Sequence, residues 1–282
     1  MIDQLACGDR RLSLDRVAVM GVLNLTPDSF SDGGDLLGDG GVVDADALLR
    51  RADLMVTEGA AILDLGAEST RPGAAPVPVA IERERIVLAL ELLKPRFDVV
   101  LSVDSSAPEV YEAAVAAGAG MLNDVRALRR PGALEAAAAT GLPVCLMHMQ
   151  GEPGTMQDRP AYEDVVGEVS AFLRARMAAA QDAGIGEERL LVDPGFGFGK
   201  TLDHNCELLR ELPALRSLGV PMLVGLSRKR MIGALTGREV GARVAGSIAA
   251  AALAVRAGAR LVRTHDVAET VDAVRVAEAV RG

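Results

Sequence analysis

Short apolar segments alternate with longer amphipathic segments along most of the chain, and each apolar segment ends in glycine or a polar residue. The short segments are rich in Val, Leu and Ile, as β-strands are, whereas the longer ones have helical periodicity. Helix signals agree: Ser106 is predicted to cap, and Pro108 to open, a helix that ends near Gly118. The pattern predicts eight strands, each followed by a helix, at residues 18–25, 61–66, 99–105, 120–125, 143–149, 189–194, 221–227 and 260–266.

The predicted strands are continuously apolar rather than alternating. This is typical of parallel strands that are covered by helices on one side and by a packed barrel centre on the other. A doubly wound open sheet is the alternative, but it usually has fewer units, and no linker divides this chain. Because barrels of about 250 residues routinely form one domain, we predict an α/β fold with a single (β/α)8 TIM-barrel domain over residues 1–282.

Two predicted connections, residues 26–41 and 69–78, are unusually long and rich in glycine or proline. Each follows a strand, so both are expected at the C-terminal face of the barrel, where βα loops build active sites. Long loops in compact domains are often functional lids. We therefore expect two mobile loops over the site.

Composition and charge narrow the class of ligand. A formal net charge of -9 argues against a nucleic-acid surface, which needs clustered Lys and Arg. The three cysteines, Cys7, Cys145 and Cys206, lack disulfide-framework or metal-ligand spacing and fit a reducing compartment. No apolar run is long enough to cross a bilayer, and no basic and apolar leader precedes Cys7. We expect a cytoplasmic protein with small-molecule ligands and no nucleic-acid or membrane partner.

Polar residues recur where the predicted strands end. A single Asp or Asn after a strand usually caps the next helix or stabilises a turn. Caps do not explain the cations that occur at the same positions, so we expect these side chains to converge on one mouth of the barrel. They are Asn24, Glu68 to Arg71, Asp104, Asn123, Asp124, His148, Asp193, Ser227 to Lys229, Arg263 and His265.

The mixture of polar groups indicates two kinds of ligand chemistry. Asp104, Asn123 and Asp193 suit a planar heterocycle with an amidine-like edge, because a carboxylate accepts two parallel N–H bonds. The cations and Asn24 suit a diphosphate. Mg²⁺ is the expected cofactor, since it prefers oxygen ligands, retains waters and is often shared with substrate phosphates.

The glycine-rich segment at residues 195–201 (GFGFGKT) does not fit a nucleotide loop. Pro194 stands where the P-loop requires glycine, and Lys200 breaks the dinucleotide fingerprint. The glycines are expected to allow close packing near the mouth, with a tight turn as the alternative, and Lys200 is predicted in solvent. His204 is predicted in a loop or at a helix start, and Cys145 in the core. His148 is interpreted as a hydrogen-bonded structural residue, with a supporting role at the mouth as the alternative.

Two long motifs resemble the signatures of the dihydropteroate synthase family. Residues 21–34 (GVLNLTPDSFSDGG) resemble the first signature, and residues 64–73 (DLGAESTRPG) the second. The likeness covers nearly the whole chain. It continues through residues 102–104 (SVD), 122–125 (LNDV), 146–150 (LMHMQ), 193–200 (DPGFGFGK), 227–229 (SRK) and 263–266 (RTHD).

The resemblance implies a transferase of folate biosynthesis. Such an enzyme condenses 6-hydroxymethyl-7,8-dihydropterin diphosphate with p-aminobenzoate to give 7,8-dihydropteroate and pyrophosphate, and sulfonamides compete for the aminobenzoate subsite. The implied mechanism is dissociative, with diphosphate leaving before the arylamine attacks. A homodimer is also implied, to which the Ala-rich residues 245–257 could contribute, although core packing explains that composition equally well.

The family motifs assign roles to individual residues of this chain. Asp104, Asn123, Asp193 and Lys229 are expected to hold the pterin, and Asn24, Arg71, Arg263 and His265 the diphosphate, with Asn24 on Mg²⁺. Phe30, Thr70 and Pro72 are expected to form the aminobenzoate pocket, and Phe198 to contact substrate. From loop position alone, Asp28 is expected to meet Arg71 between the two loops. The expected catalytic residues are Asp104, Lys229, Arg263 and His265.

Three positions depart from the family pattern: Ala67, Ala107 and Arg230. Arg230 either lies in solvent or pairs with the aminobenzoate carboxylate. Two alternatives to a synthase are a pterin-binding methyltransferase domain, which the two loop motifs oppose, and a non-catalytic pterin-binding homologue. Measuring pyrophosphate release distinguishes the synthase from both.

Overall fold

The computed structural model describes residues 2–26, 36–69 and 77–280. Its strands are β1 (Gln4–Cys7), β2 (Arg10–Ser13), β3 (Ala18–Asn24), β4 (Ile62–Gly66), β5 (Val100–Asp104), β6 (Met121–Asp124), β7 (Val144–Met147), β8 (Leu190–Asp193), β9 (Leu223–Gly225) and β10 (Leu261–Thr264). Its helices are α1 (Ala45–Thr57), α2 (Val79–Leu93), α3 (Pro108–Ala116), α4 (Ala133–Thr140), α5 (Val165–Asp182), α6 (Leu202–Arg210), α7 (Arg230–Thr236), α8 (Val244–Ala257) and α9 (Val267–Ala279). Short 3₁₀ turns lie at Asp39–Gly41, Glu187–Arg189, Leu212–Leu218 and Val240–Ala242.

Strands β3 to β10 pair in parallel and form a barrel. Their spatial order is β8-β7-β6-β5-β4-β3-β10-β9. The two end strands meet at a parallel bridge between Val192 and Met222, where the Val192 N–H donates to the Pro221 carbonyl at 3.1 Å. The predicted (β/α)8 TIM barrel and all eight predicted strands are confirmed.

Alternate residues of the barrel strands face two different apolar layers. In β3, Val19 and Leu23 pack in the layer between the barrel and the helices. Met20, on the same strand, packs inside the barrel. Both faces of each strand are thereby removed from water, which explains the continuous apolar runs in the sequence.

A β-hairpin that the sequence analysis did not predict covers the N-terminal end of the barrel. Leu5, Cys7, Leu12 and Leu14 of this hairpin pack against the lower interior residues of the barrel strands. The turn between β1 and β2 includes Gly8, whose φ of +66° favours glycine. With this end closed by apolar side chains, the C-terminal end is the one that remains for ligands.

One local prediction was wrong. Helix α3 begins at Pro108 as expected, but its N-cap is Ala107, which makes no side-chain cap bond. Ser106 instead donates its hydroxyl to the buried carboxylate of Asp124. The buried Asp124 carboxylate has lost its hydration, so only protein donors can satisfy it. The Ser106 hydroxyl bonds to this carboxylate instead of capping the helix.

Within the described ranges, no helix is both long and apolar enough to cross a bilayer.

The hairpin is predicted to stabilise the whole barrel. Leu5 is fully buried, so Leu5→Ala should lower the free energy of unfolding by about 2–4 kcal/mol. Leu235→Ala is the control, because the Leu235 side chain is 58% exposed and should lose little. Urea unfolding of the two variants and the wild type measures both effects. Equal losses in the two variants would contradict a closing role for the hairpin.

Candidate active site

The open end of the barrel holds a cavity of about 770 Å³. Residues from the ends of all eight barrel strands line it, among them Asn24, Glu68, Asp104, Asn123, Met147, Asp193, Ser227, Arg263 and His265. Parallel strands place their carboxyl ends at one face, so side chains that are far apart in sequence meet there. The described residues of the predicted set line this cavity, except Asp124 and His148, which are buried outside it.

Arg263 joins two carboxylates at the centre of this cavity. Its Nε donates to Asp64 Oδ2 at 2.6 Å, and its Nη2 donates to Asp104 Oδ2 at 2.8 Å. Asp64 is fully buried in the middle of β4, while Asp104 ends β5. With both carboxyl groups ionised, the three side chains carry one net negative charge inside the barrel.

Burial and mutual charge shift the pKa values of this group. Burial, with Asp64, Glu68 and Asp124 nearby, raises the pKa of Asp104 to about 7 although Arg263 lowers it. Burial disfavours the charge on Arg263, but the two carboxylates hold its pKa above the usual value. Arg263 therefore stays cationic, whereas Asp104 can gain or lose a proton near neutral pH.

Asn123 and Asp193 extend the polar surface along neighbouring strands. The Asn123 amide donates to Asp64 Oδ2 at 3.2 Å, so Asp64 anchors both Asn123 and Arg263. Asp193 Oδ1 accepts from the Gly195 N–H at 2.7 Å. Burial raises the pKa of Asp193 to about 6, against the Gly195 bond and the positive charges of Lys229, Lys200 and Arg263.

Lys229 and His265 also line the cavity. The Lys229 ammonium lies 4.2 Å from the centre of the Phe198 ring, a cation–π contact. His265 Nδ1 lies 3.0 Å from the Ser227 hydroxyl, which also accepts from the His265 backbone N–H at 3.2 Å. Both side chains are thus oriented by neighbours at the adjacent strand ends.

Asn24 is the one predicted metal ligand. It ends β3 and is partly buried against the cavity. In the part of the chain that the structure describes, no group of three His, Cys, Asp or Glu side chains could hold a metal ion. A single amide oxygen fits Mg²⁺ when waters and substrate phosphates supply the remaining ligands, which is the usual way that this ion binds.

Two clusters of ion pairs lie around the mouth of the barrel. Arg126 donates to both oxygens of Glu68 at 2.8 and 2.9 Å, and Arg130 reaches Glu68 Oε1 at 3.4 Å. Arg228 forms a two-bond pair with Asp266, with Nε to Oδ2 at 3.0 Å. Such bidentate pairs fix orientation as well as charge. They hold the starts of the loops that follow β4, β6, β9 and β10.

The structure brings together eight of the predicted substrate-binding residues in the one cavity: Asn24, Asp104, Asn123, Asp193, Phe198, Lys229, Arg263 and His265. The residues expected to bind the pterin adjoin those expected to bind the diphosphate, because Arg263 contacts Asp104. The predictions for Asp28, Phe30, Thr70, Arg71 and Pro72 lie outside the described residues. Arg230 is exposed and lies on the cavity wall.

The sequence reasoning missed two groups and misplaced one. Asp64 was not proposed for the site, although an Asp in the middle of an apolar strand is a signal of a buried ion pair. Arg126 had no such signal. Lys200 was predicted in solvent but is buried, with its ammonium 2.9 Å from His148 Nδ1.

Three other interpretations are confirmed. His148 is a buried, hydrogen-bonded residue, and Cys145 is a core residue of β7. His204 lies in the first turn of α6, where it forms a capping box with Thr201.

The comparisons with known proteins agree with this geometry. The family model described as "Pterin binding enzyme" matches residues 20–265. Dihydropteroate synthase of Escherichia coli strain K12 is 51% identical over 268 residues, which cover 95% of this chain and 93% of the relative. A Yersinia pestis dihydropteroate synthase structure in complex with a sulfonamide drug has a TM-score of 0.94 and 48% identity over 99% of both chains. A Xanthomonas albilineans dihydropteroate synthase structure with 4-aminobenzoic acid has a TM-score of 0.91 and 53% identity, over 100% of this chain and 99% of the other.

The barrel and its polar mouth, with a family match over most of the chain, define a pterin-binding barrel. Within that class, the identity and coverage of the relatives decide the family. The chain belongs to the dihydropteroate synthase family.

The raised pKa of Asp193 predicts a pH-dependent stability. Folded Asp193 keeps its proton up to about pH 6, whereas the ordinary pKa is 3.8, so the free energy of unfolding falls as pH rises through this window. Asp193→Asn removes the titration. Relative to the wild type, the variant should gain roughly 2–3 kcal/mol of stability between about pH 4 and pH 6, with no further gain above.

Urea unfolding of ligand-free wild type and Asp193→Asn across this pH range makes the measurement. Asp104 titrates in both proteins, so the difference isolates Asp193. A stability difference that stays constant with pH, or that shrinks as pH rises, would contradict the assignment.

Proposed function

We propose that this chain is a transferase that condenses 6-hydroxymethyl-7,8-dihydropterin diphosphate with p-aminobenzoate, giving 7,8-dihydropteroate and pyrophosphate in folate biosynthesis. The observation that carries the proposal is one cavity in which buried carboxylates and an amide meet cations. The family membership and the relatives' names support the same reaction.

The buried carboxylates and the amide suit the pterin. A pterin presents an edge of N–H donors with a neighbouring carbonyl, which Asp193 and Asn123 can match. Asp104 and Lys229 complete this half of the site. Because Asp193 and Asn123 are buried, a ligand without the donor edge leaves them unpaired, which favours pterin over other flat rings.

The diphosphate is assigned to Asn24, Arg71, Arg263 and His265. Arg263 is held between Asp64 and Asp104, so its cation stands at the boundary between the pterin and the diphosphate. Asn24 supplies an oxygen for Mg²⁺, which when bound adds positive charge that stabilises the departing pyrophosphate. The described side chains then position the leaving group and exclude water around it.

The reaction needs no side-chain nucleophile. The C–O bond to the diphosphate breaks with its electron pair on the pyrophosphate, and the arylamine of p-aminobenzoate then attacks the cationic methylene carbon. The amine loses its proton as the C–N bond forms. Ionised Asp104 balances the transient cation, while Arg263 and His265 stabilise negative charge on the pyrophosphate.

The aminobenzoate end is assigned to Phe30, Thr70 and Pro72, with Arg230 on the cavity wall near its carboxylate. The Xanthomonas albilineans relative was solved with 4-aminobenzoic acid, and the Yersinia pestis relative with a sulfonamide drug. We propose the same subsite, and the same competition by sulfonamides, for this chain. Asp28 and Arg71 are proposed to meet when the two long loops close over the ligands.

Three further assignments are proposed on other grounds. Residues 1–282 are proposed to act as one pterin-binding domain, since the N-terminal hairpin packs into the barrel interior. A homodimer is proposed from the family resemblance. A cytoplasmic location is proposed from the widely spaced, unpaired cysteines.

The test is an assay of pyrophosphate release with pterin diphosphate, p-aminobenzoate and Mg²⁺. With both substrates present, release should be accompanied by an equal amount of dihydropteroate. Asp104→Asn should lower kcat by at least ~100-fold, because the carboxylate that balances the cation is lost. Asp98→Asn is the matched control, since its side chain is fully exposed and pairs with Arg10 of the hairpin at the opposite end of the barrel.

Two outcomes would count against the synthase reaction. Pterin binding without pyrophosphate release would indicate a non-catalytic homologue or a pterin-binding methyltransferase domain. Release without formation of dihydropteroate when p-aminobenzoate is present would exclude the synthase reaction.

A further inference from the structure

Lys200 is a charged side chain inside the wall of the cavity. It is 4% exposed, and its ammonium donates to His148 Nδ1 at 2.9 Å, to the Gly195 carbonyl at 2.9 Å and to the Phe198 carbonyl at 3.1 Å. An ammonium has three N–H groups, so each has an acceptor. Burial lowers the pKa of Lys200 to about 7 although Asp193 favours its charge. Lys200 therefore uses all its N–H groups within the protein, unlike a lysine in solvent.

The segment that Lys200 holds is a glycine loop between β8 and α6. Gly195, Gly197 and Gly199 have φ values of +68°, +80° and +60°, in the left-handed region that favours glycine. A Cβ on Gly195 would lie 1.9 Å from the His148 carbonyl, and one on Gly199 would lie 2.6 Å from the Gln150 carbonyl. The loop therefore packs directly on the backbone that follows β7. Its conformation is determined by contacts with that backbone and with Lys200.

The same loop carries two contacts of the pterin half of the site. The Gly195 N–H donates to Asp193 Oδ1, and the Phe198 ring lies under the Lys229 ammonium. Lys200 binds the carbonyls of these two loop residues, Gly195 and Phe198. Through these two carbonyls, the Lys200 ammonium fixes both the Gly195 N–H, which orients Asp193, and the Phe198 ring, which orients Lys229.

His148 is built to accept the Lys200 bond. An ammonium has no acceptor, so Nδ1 must be unprotonated and the ring neutral. Burial, followed by the charge of Lys200, lowers the pKa of His148 to about 2. The ring packs edge-on against Phe172 at 4.9 Å, and the His148 backbone N–H donates to the Asp193 carbonyl at 2.9 Å. His148 is therefore a fixed acceptor. It follows β7 directly, and its ring accepts the hydrogen bond from Lys200 in the loop between β8 and α6.

We propose that Lys200 and His148 form a positioning pair, which holds the glycine loop in the geometry that Asp193 and Lys229 need to bind the pterin. The inference deepens the proposed function and rests on it. Lys200 acts through the loop, since its three N–H groups are already used within the protein. The pair should affect binding of the pterin substrate and leave the aminobenzoate end of the site nearly unchanged.

The first test compares Lys200→Met with Lys94→Met, a lysine of similar length that pairs with Asp9 near the hairpin. Calorimetry measures the dissociation constant for pterin diphosphate, and steady-state kinetics measures the KM for p-aminobenzoate. Lys200→Met should weaken pterin binding by at least ~10-fold, because the loop carbonyls and His148 lose their shared donor. The KM for p-aminobenzoate should change by less than about twofold, and Lys94→Met should match the wild type. Wild-type pterin affinity in Lys200→Met would overturn the proposal.

The second test changes the acceptor and keeps Lys200. His148→Asn retains an acceptor oxygen near the position of Nδ1, whereas His148→Leu has none. The Asn variant should keep most of the pterin affinity, and the Leu variant should lose it as Lys200→Met does. Equal affinities in the two variants would overturn the proposal. The comparison of the two His148 variants also tests the proposal if Lys200→Met does not fold.

The failure of this inference is distinguishable from failure of the proposed function. The calorimetric arm needs pterin binding alone, so it gives an answer even for a chain that releases no pyrophosphate. A wild type that binds pterin diphosphate without turnover contradicts the proposed reaction and leaves the positioning pair to be judged by affinity. A wild type that does not bind pterin diphosphate contradicts both.

Discussion

The fork that Arg263 forms with Asp64 and Asp104 is the interaction on which the site depends. The carboxylates of fully buried Asp64 and partly buried Asp104 would repel one another and would lose hydration, and a single guanidinium between them offsets both effects. Removing one member of such a buried group typically costs about 3–5 kcal/mol, because the remaining charge is left without a partner. The three strands β4, β5 and β10 are therefore linked through one cation at the mouth.

This fork also sets the electrostatic character of the cavity. The group carries a net negative charge when both carboxyl groups are ionised, so it favours a ligand with N–H donors and positive character. Asp104 has a pKa of about 7, so its ionisation responds to a nearby cation. Lys229, Arg263 and His265 add N–H donors to the same cavity. The combination of carboxylates and N–H donors within one cavity matches a substrate that joins a heterocycle to a diphosphate.

The sequence predicted the barrel because the strands of a closed parallel sheet must be apolar on both faces. The convergence of Asp104, Asn123 and Asp193 followed from the parallel arrangement, because the carboxyl ends of all eight strands lie at one mouth. The hairpin was missed because β1 and β2 are only four residues each and lie outside the repeating βα pattern. Their role depends on the lower barrel interior, which exists only once the strands have assembled.

The errors at Ser106 and Lys200 have a common cause. Local rules place Ser before a helix as a cap, and Lys in a glycine-rich turn as a solvated residue. Asp124 takes the Ser106 hydroxyl, and His148 with two loop carbonyls takes the Lys200 ammonium. These acceptors come from other strands or from the folded loop, so sequence position alone does not reveal them. Asp64, by contrast, could have been found, because an isolated carboxylate in an apolar strand requires a partner.

The most direct test of this account is a crystal structure of the chain with 6-hydroxymethylpterin at saturating concentration. The account predicts the ring inside the barrel mouth, with its N–H edge within about 3.2 Å of Asp193 and of the Asn123 amide oxygen. It also predicts that the Arg263 fork with Asp64 and Asp104 is retained in the complex. A pterin found outside the cavity, or one bound inside it without contact to Asp193, would contradict the central claim.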